Sequence, residues 1–587
     1  MSDPSIELRS AVERWLADFE TAVKNGEGVL FSQLFTDEAC WRDTVALTWD
    51  YRQAHSRDQL QELLLQAAGE AKPRDFTIAE KWPAPGLFGP AEVVEFFFTF
   101  QTNAGTGEAL VRAIQEPDST YGFRAFQFHT RITGLHAAED PETHPAGYGF
   151  DRAHPKENWA QYRERVSSFD DREPEVLIVG GGHSGLMLAA HLDKLGISNL
   201  VVDKNPRVGD NWRNRYHNLA LHTPVQMVQF PYLRYPDHFP TYLSKDKLGD
   251  WLETYATTMD LNVWTDSAFL GGSYDEQSRT WTARVDRAGT RRELRPRHVV
   301  LATGGVGGKP KLPALPGLDS FAGDVMHSSD FPGGDLYAGK RAVVVGVGTS
   351  AHDIAYDLHA NGAAVTMVQR NRVAVVSIES ANLGYSDYFN GVPDDLVDFR
   401  FAADLTLPLF QNALNQYQAM VAELDADLLA GLEKAGMQLE EVTDGRRSWF
   451  AKFFENGGGY YLNIGTSDII ADGGIAVVQA SDVMTYTSTG LTLADGSTIE
   501  ADVVVLATGY EDRQTQLVDL FGSDLADRIG PVGRGWDDDG EWRNVWKPTA
   551  QPGLWFMLGG IKDGRPNAHQ LAHLLAADVL ELVPSRV

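Results

Sequence analysis

Apolar residues recur at helical spacing over residues 6–25 (IELRSAVERWLADFETAVKN) and again around QLQELLLQA, after which the period falls to two. VVEFFFTFQT (93–102), GEALVRAIQ (107–115) and FRAFQFHTRITGL (123–135) are β-rich runs separated by Gly, Asn, Asp and Ser turns, which predicts an antiparallel sheet. Helices followed by a curved sheet predict an α+β cone over residues 1–136. Residues 137–173 are polar and proline-containing, so they predict a linker along the surface. From residue 174 the pattern changes to short continuous apolar runs, each followed by a turn and an apolar helix. It predicts an α/β architecture with two Rossmann-like dinucleotide-binding units behind the cone.

The first unit is PEVLIVGGGHSGLMLAAHL (174–192) followed by NLVVDKN. Gly180 permits the tight turn, Gly182 lets backbone approach a pyrophosphate, and Gly185 lets helix pack on strand. The helix start at His183 and Ser184 offers partial positive charge to the phosphates. Asp203, with Lys204 beside it, ends the next strand where an acid can take ribose hydroxyls. RVGDNWRNRY (207–216) then places Gly209, Trp212 and Arg213 where a loop covers FAD in flavin-binding proteins. The second unit is KRAVVVGVGTSAHDIAYDL (340–358), with Gly346, Gly348, Thr349, Ser350 and Ala351 at the turn. Its next strand, AAVTMVQRNR (363–372), ends on Gln369 and Arg370 instead of an acid. A guanidinium there can pair with the 2′-phosphate of NADPH, which a carboxylate would repel. The resulting partition is 174–335 for FAD, 336–499 for NADPH with a helical insertion from Ala403 to Gly445, and 500–587 returning to FAD. Two sites of different character imply electron flow from nicotinamide to flavin.

Length, charge and cysteine usage then narrow the outlet for those electrons. A chain of 587 residues holds about three units. Its net charge of −30 argues against a nucleic-acid or anionic-membrane partner. The N-terminus has no basic, apolar targeting pattern and no run reaches membrane-helix length, so the expected address is the cytoplasm. Cys40 is the only cysteine, which excludes a redox disulfide and a cysteine-rich metal site. An NAD(P)H oxidase or quinone reductase stays open, and so does an oxygenase.

FAGDVMHSSDF (321–331), between the two glycine turns, resembles the FxGxxxHxxx(Tyr/Phe) fingerprint of class B flavin-containing monooxygenases, and LATGY within Val503–Glu511 resembles their second hallmark. Baeyer-Villiger relatives carry Trp or Asp where this chain has Phe331. LALHTPVQMVQFP and FPTYLSKDKLGDWLETYA are similar to the YUCCA-type branch, and the order of helices then sheet, with ACWRD (39–43) between the helices, resembles nuclear-transport-factor-2-like or SnoaL-like domains over roughly the first quarter of the chain, an N-terminal extension like that of the type II branch. The resemblance implies FAD and NADPH, with NADH accepted in part, and dioxygen plus a small organic substrate. It implies one oxygen atom inserted into a ketone, sulfide or amine through a flavin 4a-(hydro)peroxide protected by bound NADP⁺. His222, followed by Thr223, falls at the flavin-facing Asn of animal-type members; it either donates to the flavin site or packs beneath it. The catalytic candidates are His222, His327 and Arg370, with His327 read as coupling the two nucleotide units. Thr508, Gly509 and Asn567 join the cofactor-binding set, Asn567 either touching flavin or flanking its helix. No Arg or Lys occurs in 474–496 to match the second active-site Arg of Baeyer-Villiger enzymes. In the cone, Asp43 and His129 are either pocket groups or solvated surface residues, and packing or homodimerisation is its alternative use.

Overall fold

The computed structural model describes residues 4–138, 157–304, 308–441 and 448–583. The helix Pro4–Asn25 buries Val12, Trp15, Leu16, Phe19 and Val23, one stripe at three- and four-residue spacing. That stripe meets a seven-stranded sheet in the order Tyr51–Ala54, Phe35–Thr44, Phe123–Leu135, Gly105–Gln115, Val93–Gln101, Arg74–Ile78, with Gly86–Phe88 paired beside Val93–Gln101. Trp15 stacks on Phe19 at 5.2 Å and meets Phe96 edge-on at 5.3 Å, so aromatic rings fill the space between helix and sheet. Pairing is antiparallel except between Phe35–Thr44 and Phe123–Leu135.

Asp43 and His129, expected as pocket or solvated groups, are both fully buried within this sheet. Asp43 accepts from the hydroxyls of Thr130 and Thr48 and the backbone N–H of Leu47 and Thr48. It therefore organises the turn after its strand. His129 shares a hydrogen bond between Nδ1 and the Arg42 carbonyl. Of the expected linker, residues 139–156 lie outside the described set. Trp159–Ser168 is a helix capped reciprocally by Asn158 and Gln161, and it has no buried residue, which accounts for its polar composition.

Two parallel five-stranded sheets follow. The first runs Val263–Trp264, Asn199–Val202, Val176–Val179, His298–Leu301, Leu554–Phe556. The second runs Asp324–His327, Val503–Leu506, Arg341–Val345, Ala364–Gln369, Ala476–Gln479. Parallel strands buried on both faces need continuous apolar runs, and VLIV, HVVL and VVVL are buried throughout. Hydrogen bonding places Asp324–His327 and Val503–Leu506 in the second sheet, although the partition at 335 and 500 assigns them to the FAD unit. The chain thus crosses between units after Ala302 and again after Leu506.

The cone docks on these units through buried charge. Arg42 makes a bidentate pair with Glu541 at 2.7 and 2.8 Å, and Lys547 reaches the Tyr51 carbonyl, Asp537 and Asp539. The DDDG run at 537–540 is thereby an interdomain clamp: Asp539 also pairs with Arg52 at 2.7 Å. Removing Glu541 would strand the buried Arg42 without water, whereas the Asp539–Arg52 pair stays partly solvated.

Candidate functional site

Each dinucleotide turn joins a buried strand to a helix whose first residues have no side-chain cap. The helices His183–Lys194 and Thr349–Ala360 both begin after an extended glycine, Gly182 and Gly348, so their leading N–H groups are available to an anion. A Cβ on Gly182 would meet only the Asn211 amide at 3.2 Å, and one on Gly348 would meet nothing within 4 Å. The outer glycines instead face protein. Gly180, at φ +114°, would drive a Cβ to 2.5 Å from the Ala302 carbonyl; at Gly185 the same atom would lie 2.1 Å from the Gly180 carbonyl. Both turns therefore fit a pyrophosphate.

The ribose ends differ. Asp203 Oδ2 accepts from the Gly181 N–H at 2.7 Å, and Oδ1 accepts from the Asn205 backbone and amide. One acceptor position on Oδ2 remains for a ribose hydroxyl. Lys204 beside it is exposed. At the second turn Gln369 is buried, its amide spent on Asn371 and Gln438, while Arg370 is exposed and makes no ion pair among the described residues.

The remaining candidates sort by what their side chains already hold. His183 shares Nε2 with the Gly559 carbonyl, and burial lowers its pKa, so it enters the helix start uncharged. Ser184 is buried, 3.3 Å from a Cβ built on Gly564, which closes the turn against the helix Ile561–Val579. Gly209, at φ +91°, leaves no room beside the Gly249 carbonyl. Arg213, expected over the cofactor, is committed to Asp210, Asp250, Glu253 and the Val208 carbonyl; it pins the covering loop to the helix Lys245–Thr258. Trp212 has a buried indole N–H with no partner. Thr349 donates to the Tyr460 carbonyl, and Ser350 beside it is half-buried. Asn567 has both amide atoms engaged, Nδ2 donating to the Asp563 carbonyl and Oδ1 accepting from the Tyr51 hydroxyl of the cone at 3.0 Å. It sits inside the helix Ile561–Val579 and ties that helix to the cone.

His327 donates from Nε2 to the Gly509 carbonyl at 2.9 Å, while Nδ1 accepts from Ser329. Both nitrogens are thus spent on the chain, and burial lowers the pKa against the opposing effect of the Gly509 bond. Gly509 at φ +77° also accepts from Lys311, and Thr508 donates to the Lys311 carbonyl. The fingerprint and the ATGY turn are consequently one hydrogen-bonded unit. His222, with Thr223 half-buried after it, presents Nε2 3.5 Å from Asp353 Oδ1, its ring edge-on to Tyr461 at 6.0 Å. Asp353, Tyr216 and Tyr51 were not legible as site residues. The available signal for Asp353 was an acid one turn into the helix that follows the second glycine turn.

A family model described as pyridine nucleotide-disulphide oxidoreductase matches residues 177–382. A chain with one cysteine has no disulfide pair to serve such chemistry. Indole-3-pyruvate monooxygenase YUCCA1 of Oryza sativa subsp. japonica is 31% identical over 346 residues, covering 57% of this chain and 77% of that protein. Probable indole-3-pyruvate monooxygenase YUCCA3 of Arabidopsis thaliana is 31% identical over 369 residues, covering 61% and 79%. Among solved structures, oxidized steroid monooxygenase bound to NADP shares the fold, with a TM-score of 0.51 and 18% identity over 70% of this chain and 85% of that one. No described helix is long and apolar enough to cross a membrane. With two uncapped dinucleotide turns, a fingerprint histidine bonded to the ATGY turn and this similarity, the chain belongs to the flavin-containing monooxygenase family.

Proposed function

We propose that the enzyme couples NADPH, a proton and dioxygen to the insertion of one oxygen atom into a small ketone, sulfide or amine, releasing NADP⁺ and water. The observation that carries this reading is the pair of open glycine cradles with opposite ribose ends, acid at Asp203 and cation at Arg370. FAD bound at the first cradle supplies the oxygen-activating chemistry at its carbon 4a. Asp203 holds the FAD ribose, and the helix start at His183 faces the pyrophosphate. Gly348 and Thr349 receive the second pyrophosphate; Arg370 reads the 2′-phosphate, with NADH accepted more weakly. His327 keeps the two units in register, and His222 lies on the reacting side. In the same reading residues 1–136 are a nuclear-transport-factor-2-like or SnoaL-like cone that is open to homodimerisation, and the enzyme works in the cytoplasm.

The test is ¹⁸O₂ turnover of the purified holoenzyme with NADPH, using methyl phenyl sulfide and cyclohexanone as probes. One labelled atom in the sulfoxide or lactone per NADPH consumed is the expected outcome. Recovery of all electrons as hydrogen peroxide with both probes would replace this reading by an NAD(P)H oxidase.

A further inference from the structure

Negative charge that develops beside a flavin needs a donor or cation placed in advance. Segment 474–496, where Baeyer-Villiger relatives carry an Arg, has neither Arg nor Lys. A buried carboxylate near His222 meets that need by another route. Asp353 lies in the helix Thr349–Ala360 of the second unit and is 3% exposed. Its Oδ2 accepts from the Tyr216 hydroxyl at 2.7 Å. Its Oδ1 has no hydrogen-bond partner, and neither does the buried Nε2 of His222, 3.5 Å away. Leaving both atoms unpaired in a dry junction is unfavourable, and a shift of a few tenths of an ångström (~0.5 Å) would join them as Nε2–H donating to Oδ1.

We propose that Asp353 is a positioning residue: it fixes His222 with Nε2–H toward Oδ1, so that Nδ1 faces the flavin, and it is the counter-charge for the imidazolium in which Nδ1–H donates there. The inference rests on the reading that His222 faces the flavin. A carboxylate that orients an imidazole through its second nitrogen sets both tautomer and ring direction. The dyad forms only when the two units are docked, since His222 belongs to the loop after the first turn and Asp353 to the second helix. Asn218 strengthens that docking by donating to the Asp353 carbonyl at 2.9 Å, and His217 stands 3.6 Å from Asp357, one helical turn on.

The other titratable groups around the dyad are accounted for. Tyr461 spends its hydroxyl on Thr466. His352 stacks on Tyr461 at 3.9 Å, bonds the Gly348 carbonyl through Nδ1, and is held uncharged by burial at a pKa of about 4. Tyr216 donates to Asp353, and burial raises it far out of the titrating range. Arg215 approaches Tyr216 with its Nε buried and unbonded. Asp353 is therefore the carboxylate these groups leave for His222.

The experiment uses holoenzyme with NADPH and no organic substrate, measuring hydrogen peroxide release against pH together with the pH titration of the bound, oxidised FAD spectrum. Both should show one shared midpoint in the wild type, lost in His222→Gln. Asp353→Asn should lower that midpoint by about one pH unit and raise peroxide release at neutral pH about tenfold, because the cation loses its counter-charge. Asp353→Glu should restore it. Tyr216→Phe, which keeps the carboxylate but removes its other donor, should raise the midpoint and supplies the test if Asp353→Asn does not fold. Unchanged midpoints in Asp353→Asn and Tyr216→Phe with FAD fully bound would overturn the proposal. A colourless wild-type protein would instead sink the flavin reading, and it is seen before any variant is made.

Discussion

The two glycine turns share a backbone plan and differ in how much of the site the protein completes by itself. At the first, Asp203 already accepts three donors and ties Gly181 and Asn205 into a closed frame. At the second, a Cβ on Gly348 would meet nothing, and Arg370 stands exposed without a described ion partner. A frame preformed on protein groups loses little freedom when its ligand binds, which suits a cofactor that stays. An exposed cation on an open cradle suits a ligand that arrives, reacts and leaves, since its attraction is long-ranged and weak. In the proposed reading, the difference between a resident and a visiting dinucleotide would lie in the hydrogen bonds behind each turn more than in the glycines.

The largest break in this comparison comes from the third position of each turn. A Cβ at Gly185 would lie 2.1 Å from the Gly180 carbonyl, backbone that cannot give way, whereas Ala351 at the matching place is buried without such a clash. Gly185→Val should yield protein that purifies without bound FAD, read from its visible spectrum. Ala351→Gly should retain FAD at full occupancy, with only the roughly 1 kcal/mol helix cost of glycine. Equal FAD loss in the two would show that the turns are not separable.

Next in size is the exchange of ribose-end chemistry. Asp203→Asn removes a charged acceptor and should weaken FAD retention by about tenfold to a hundredfold, the worth of a charge-assisted hydrogen bond. Arg370→Ala should raise KM for NADPH by about tenfold or more and leave KM for NADH within about twofold. Raising salt from 50 to 500 mM should mimic the second variant and spare the first, because exposed charge is screened. Equal effects of Arg370→Ala on NADPH and NADH would remove Arg370 from the 2′-phosphate site.

Much of this was legible in the chain because strand, turn and helix each leave a local signature: Gly180, Gly182, Gly185 and their counterparts, and the buried VLIV and VVVL runs, are where periodicity and turn chemistry place them. The fingerprint around His327 led to the expectation of a coupling element. It did not show that Gly509, far along the chain, accepts from Nε2. Long-range pairings escaped for the same reason throughout. Asp539 reads as one acid in a polar turn until the fold brings Arg52 to 2.7 Å, and Arg213 reads as a cofactor group until Asp250 and Glu253 arrive from the next helix. Strands 324–327 and 503–506 looked like FAD-unit segments because sequence order says where a strand lies along the chain and not which sheet edge it joins.

The smallest effect separates the turns by their histidines. His183 opens the first helix and His352 sits in the first turn of the second; burial lowers both, His352 to about 4. With the folded-state pKa below the unfolded value, the unfolded chain binds the extra proton first as pH falls. The contribution of a neutral His352 is therefore complete above pH 6.5, declines as pH drops below it, and levels off near pH 4. At a slope of about 1.4 kcal/mol per pH unit, lowering pH from 6.5 to 5.5 should cost about 1 kcal/mol through this residue. His352→Phe keeps a ring to stack on Tyr461 and cannot take the proton. Its urea midpoint should fall at neutral pH through loss of the bond to Gly348, yet decline less steeply than the wild type's between pH 6.5 and 5. An unchanged slope would mean that acid reaches the second turn through some other group, and that its histidine is not what keeps the open cradle intact.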